Sequence, residues 1–144
     1  MKKLLIAVVS LFWFASFALA GEGWLTDFEA AKKLAAEKGL PILADFSGSD
    51  WCGWCVRLDK EVFSQPEFKV YANDNLVLFL ADFPNRTPQS DELKAQNERL
   101  SRQYGIRGFP TVLLLNADGS VINKTGYQAG GAAAYVEHIK ELLK

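Results

Sequence analysis

The chain has 144 residues, 49% apolar and 23% charged, with a net charge of -1. That is room for one domain with its own core, and it excludes a disordered or fibrous chain. A balance so near neutral removes the electrostatic case for a nucleic-acid partner.

Residues 1–20, "MKKLLIAVVSLFWFASFALA", stand apart. Lys2 and Lys3 lead, an apolar run follows, and Ala18-Leu19-Ala20 closes it, which is the pattern of a secretory signal. The run from Leu4 to Ala20 is shorter than the roughly 20 residues of a spanning helix. Cleavage after Ala20 is expected, leaving a domain over 21–144 in the periplasm or outside the cell.

"TDFEAAKKLAAEKG" follows, with Thr26 and Glu29 at capping-box spacing and Gly39 at the end, so a helix is predicted with Phe28, Ala31, Leu34 and Ala35 on one face. Pro41 stops it, and "PILADF" reads as a short buried strand. A helix is then predicted from near Cys52 past Leu58. "SQPEF" restarts one, with Ser64 as cap and Glu67 three residues on. "NLVLFLADF" is a continuous apolar run suited to a sheet centre, and "PNRTPQS" is a loop. "DELKAQNERLSRQYG" reads as a charged helix with Leu93, Leu100 and Tyr104 inward. "PTVLLLNADGSVINKTG" reads as a hairpin turning at Asn116 to Gly119, and a last helix begins near Ala132. Helices alternating with strands, then a hairpin, imply an α/β domain with a mixed sheet.

The two cysteines, Cys52 and Cys55, stand three apart in "SGSDWCGWCVRL". A bond across so small a loop constrains little of the unfolded chain, which speaks against a staple. A structural zinc site asks for four ligands. There is no second Cys-x-x-Cys, and the one histidine, His138, lies in the last predicted helix. Two thiolates alone could still hold a soft metal. A plain buried pair fits poorly with two tryptophans and a glycine around the sulfurs. A redox couple fits best. Residues i and i+3 of a first helical turn are neighbours about 5–6 Å apart at Cβ, within reach of a disulfide that opens and closes with little backbone movement. Cys52 would meet free backbone N–H groups that favour a thiolate, and Cys55, one turn inside, could attack a mixed disulfide.

"ILADF…WCGWC…LADF…YGIRGFPTVLLLNADGSV…TGY" resembles thioredoxin over most of the chain beyond the leader, and the "SGSDWCGWC" form resembles exported thioredoxin-like proteins. The resemblance implies an α/β thioredoxin fold, a central mixed β-sheet flanked by helices. It implies that Cys52 attacks and Cys55 resolves. It also implies that Pro110 is a cis-proline facing the disulfide, with Gly108, Phe109 and Thr111 beside it in a substrate groove. Trp51 would wall the reactive sulfur, and Trp54 would touch substrate. Asp45 resembles the buried acid that exchanges a proton with the resolving cysteine.

Four departures from thioredoxin stand out. Gly53-Trp54 replaces Gly-Pro between the cysteines. "DFSGSDWC" is one residue longer than its counterpart. The lysine that often partners the acid should fall near Leu78 and is absent. The segment "FPNRTPQSDELKAQNERL" is longer than its match. Arg57 and Lys60 read as solvated charges, and Asp50 as an opponent of the thiolate.

The expected function is an exported thiol–disulfide oxidoreductase, acting as a reductase of protein or small-molecule disulfides, as a monomer, with no bound cofactor and no metal. A membrane thiol transporter is the candidate redox partner. An oxidase or isomerase, or a non-catalytic thiol- or metal-binding module of the same fold, are the alternatives.

Overall fold

The computed structural model describes residues 23–144; the expected leader and its cleavage site lie outside the described residues. The chain runs through β1 (Trp24–Leu25), α1 (Phe28–Lys38), β2 (Ile42–Ser47), α2 (Gly53–Leu58), a π-helical turn (Asp59–Phe63), α3 (Pro66–Asn75), β3 (Val77–Asp82), α4 (Asp91–Gln103), β4 (Thr111–Leu115), β5 (Val121–Thr125) and α5 (Gly131–Leu142). The five strands form one sheet in the order β1-β3-β2-β4-β5. β1, β3 and β2 are parallel, and the β4–β5 hairpin joins antiparallel to β2. This is the expected mixed sheet.

Strand alternation decides what each face carries. Ile42, Ala44 and Phe46 of β2 turn toward α1 and α4, packing with Phe28, Ala31, Ala35, Phe79 and Leu100. Leu43 turns the other way, toward Leu58, Phe63, Phe68, Tyr135 and Ile139. A fully buried Leu or Phe contributes roughly 1.5–3 kcal/mol, and every residue of β2 is buried. Asp45 shares the parity of Leu43. The sheet therefore aims a carboxyl into the face covered by α2, the π turn, α3 and α5.

Several local expectations are corrected. The cap of α1 is Asp27, whose carboxylate accepts from the Ala30 N–H at 3.0 Å, one residue past the expected Thr26. Gly39 does end that helix, at φ 64°. Ser64 does not cap α3; its hydroxyl turns back to Asp59, and the helix starts at Pro66 after Gln65. The apolar run of β3 is not the centre of the sheet. β2 holds that place, and β3, flanked by the two-residue β1, alternates between buried and half-buried positions. The inner face of α4 carries Leu100 as expected, but also a buried Asn97, whose amide donates to the Asp82 carbonyl at 2.9 Å.

Candidate active site

β2 ends at Ser47, and the next five residues make a turn in which the Trp51 and Cys52 N–H groups return to the Gly48 carbonyl. Cys52 is the N-cap of α2, and its Sγ accepts from the Cys55 N–H at 3.2 Å. Cys52 and Cys55 are bonded to each other, with Cα atoms 5.2 Å apart. The Cys55 sulfur also accepts from the Gly48 N–H at 3.5 Å. Both cysteines are buried, at 7% and 4% exposure, so exposure alone does not rank them. The cap does: at Cys52 an N–H already points at the sulfur, where it would stabilise a thiolate in the reduced protein.

Asp45 lines a cavity of about 370 Å³ together with Cys55, Ser47, Phe63, Asp59 and Lys69. Asp45 and Cys55 lie at its buried end, and Asp59 and Lys69 are exposed at its mouth. The Asp45 Oδ1 atom is buried with no hydrogen-bond partner. Burial first, and then the carboxylates of Asp59 and Asp82, raise its pKa from 3.8 to about 8. The longer "DFSGSDWC" spacing thus leaves the acid lining the same cavity as Cys55. The residue beside Asp45 on β3 is Leu80, not Leu78, which pairs with Leu43; neither is a lysine. Asp59, on the π turn, went unnoticed in the sequence, although it stands one helical turn beyond Cys55.

The extra residue in the turn has a use. Ser49 donates through its N–H and hydroxyl to Asp82. The Asp50 carboxylate accepts from the N–H groups of Asn85, Arg86 and Thr87 at 2.8, 2.7 and 2.8 Å. Those backbone donors lower its pKa to about 2. Trp51 donates from its indole to the Phe83 carbonyl at 2.7 Å. Asp50, expected to oppose the thiolate, is therefore spent on the proline-containing loop.

Trp51 and Trp54 are 46% and 55% exposed on either side of Cys52. The Trp51 ring meets Phe109 edge-on at 5.8 Å. The Phe109–Pro110 peptide bond is cis. Gly108 is exposed, Phe109 and Pro110 are half-buried, and Thr111 is buried with its hydroxyl donating to the Gly108 carbonyl at 2.6 Å. Thr111 thus braces the turn, Phe109 packs inward against Trp51, Phe83 and the core, and Gly108 is exposed.

On the other side, Trp54 packs on Tyr127 at 5.0 Å between ring centroids. The Arg57 guanidinium lies 5.3 Å from the Trp54 ring and 5.4 Å from the Tyr127 ring, and its Nε donates to Glu61 at 2.6 Å. The Tyr127 hydroxyl donates to the other Glu61 oxygen. These two donors, Tyr127 first, hold the Glu61 carboxyl below its ordinary range. Arg57 is thus more than a solvated charge; its i,i+4 spacing to Glu61 was the available signal. His138, weighed as a metal ligand, shares a hydrogen bond with Thr125 at 2.8 Å.

Residues 28–140 match the model of the thioredoxin-like domain family. This chain belongs to the thioredoxin-like family. Among curated thioredoxin-like relatives, the disulfide bond reductase DsbH of Chlamydia pneumoniae is 38% identical over 104 residues, covering 72% of this chain and 63% of that protein. The thiol:disulfide interchange protein DsbD of Klebsiella pneumoniae is 30% identical over 116 residues, which are 78% of this chain but 18% of DsbD. The chain therefore spans less than two thirds of the curated relatives it matches here. A solved structure of a DsbH oxidoreductase superposes with a TM-score of 0.81 at 31% identity, covering 95% of this chain and 94% of that one. The thioredoxin fold is the observed one.

Proposed function

We propose that this chain is an exported thiol–disulfide oxidoreductase that works as a reductase of protein or small-molecule disulfides. The observation that carries the reading is the Cys52–Cys55 disulfide at the start of α2, with the Asp45 carboxyl, its Oδ1 buried and unpartnered, in the cavity that Cys55 lines. In the reduced protein, the Cys52 thiolate attacks one sulfur of a substrate disulfide. A Cys52–substrate disulfide forms and one substrate thiolate leaves. Cys55 then attacks the Cys52 sulfur, the pair's own bond closes, and the second substrate thiolate leaves. Two electrons pass from the pair to the substrate, and an external dithiol must return them. The bonded pair described above is the end of that cycle. A carboxyl whose pKa lies near 8 can take the Cys55 proton when Cys55 attacks and give it back when the pair is reopened.

The cis-Pro110 turn, with Gly108 exposed and the Phe109 ring tucked against Trp51 and Phe83, offers a backbone edge for an extended substrate, between Trp51 and Trp54. The reductive direction draws support from the name of the Chlamydia relative, disulfide bond reductase. Export draws support from the basic and apolar pattern of residues 1–20. A membrane thiol transporter is the candidate donor, because an exported pair must receive its two electrons from across the membrane.

The test is insulin reduction with dithiothreitol as donor. Cys52→Ser should abolish the activity, and reduced Cys55→Ser, mixed with insulin after the dithiothreitol is removed, should accumulate a mixed disulfide, visible on a non-reducing gel. A Cys52→Ser variant as active as the wild type overturns the assignment. The direction is tested by the reduction potential: about -270 mV supports a reductase, and about -120 mV an oxidant.

A further inference from the structure

Trp54 sits between the cysteines and is more than half exposed, yet two side chains hold it, and a third ties those two together. Tyr127 packs on it at a tilt of 50°, Arg57 lies over both rings, and Glu61 ties Arg57 to the Tyr127 hydroxyl. The parts come from separate places in the chain: α2, the π turn and the segment after β5. That last segment is itself fixed. The Gly126 carbonyl accepts from Tyr135 at 3.0 Å, and a Cβ at Gly126 would come within 3.2 Å of the Pro110 carbonyl. The clasp therefore runs from the cis-proline turn across to Trp54, the residue between the two cysteines.

Its chemistry says what it suits. The Arg57 charge is met by Glu61, so the face presents ring surface without a net charge. Six large apolar side chains are exposed among the described residues, and three of them, Trp51, Trp54 and Val56, fall within six positions around the disulfide. An indole already fixed need not be ordered when substrate arrives, a saving equivalent to about two- to tenfold in affinity.

We infer that Tyr127 is a positioning residue that, with Arg57 and Glu61, fixes the Trp54 indole as a recognition wall for polypeptide disulfides carrying an apolar or aromatic side chain next to the attacked cysteine. This rests on the oxidoreductase reading above and names its substrate class. Small disulfides, which do not reach the wall, gain nothing from it.

The test compares kcat/KM for two substrates, a disulfide-bonded peptide with Phe beside its cysteine and 2-hydroxyethyl disulfide. Tyr127→Ala should lower the peptide-to-small-disulfide ratio about three- to tenfold, through KM rather than kcat. Tyr127→Phe, which keeps the ring and loses only the hydroxyl, should fall between it and the wild type. In a Trp54→Ala background the Tyr127→Ala effect should vanish, because Tyr127 acts through Trp54. An unchanged ratio in Tyr127→Ala, or an equal effect with and without Trp54, overturns the clasp while leaving the oxidoreductase reading intact. A wild type that reduces neither substrate sinks both.

Discussion

Replacing Asp45 by Asn should make the protein more stable at neutral and alkaline pH. The native carboxyl holds its proton up to about pH 8, whereas an unfolded aspartate releases it near 3.8. The folded state therefore binds the proton more tightly. The favourable contribution is complete below pH 3.8, shrinks as the pH rises, and is gone by about 8. At about 1.36 kcal/mol per unit, the span of some four units amounts to about 6 kcal/mol. That is comparable with the whole stability of a small domain, about 5–15 kcal/mol. Asparagine has no proton to lose, so its packing and hydrogen-bonding cost is a constant offset. Urea unfolding of the oxidised proteins from pH 5 to 9 separates the two. The wild type should lose about 4 kcal/mol relative to the variant over that range, most of it before pH 8. Parallel stability curves, within about 0.5 kcal/mol of a constant separation, would mean that Asp45 is not held protonated by burial. The role assigned to it beside Cys55 would then lose its physical basis.

Other outcomes follow from the same geometry. A Cβ at Gly48 would lie 2.4 Å from the Trp51 indole, which is itself tied to the Phe83 carbonyl. Gly48→Ala should therefore cost roughly 1–3 kcal/mol and change the near-ultraviolet circular dichroism of the tryptophans. Asn97→Leu removes one of two amide donors to the Asp82 carbonyl, Gln89 being the other; a loss of roughly 0.5–1.5 kcal/mol in chemical denaturation is expected. Gly39→Ala places a side chain at φ 64° and should cost about 1 kcal/mol by the same assay, with no effect on disulfide exchange.

What could be read from the sequence was local chemistry. The spacing of Cys52 and Cys55, the Asn116–Gly119 turn and the helix stop at Gly39 each follow from what a few neighbouring residues can do. The cis bond at Pro110 came from resemblance, since an isolated proline carries no such signal. Register was not legible: a strand as uniformly apolar as β3 slides without penalty on paper, and so Leu78 stood where Leu80 belongs. The missed parts are long-range. Asn97 looks like a surface residue of a charged helix until the end of β3 meets it. Asp59 acquires meaning only once β2 aims Asp45 at it. Tyr127 is a tail residue until the segment after β5 folds back over α2. The two-residue β1 is too short to leave any pattern.

The hold of Asp50 on residues 85–87 bears on how the protein meets a protease. The loop is exposed and carries Arg86 between two prolines, the composition of an ordinary nicking site. A protease must draw its target into an extended strand bonded to its own backbone. Here the N–H groups of Arg86 and Thr87, on either side of the tryptic bond, are already committed to one carboxylate. The loop is accessible without being available. It should survive trypsin while the domain stays folded, and become an early cut once that carboxylate is removed.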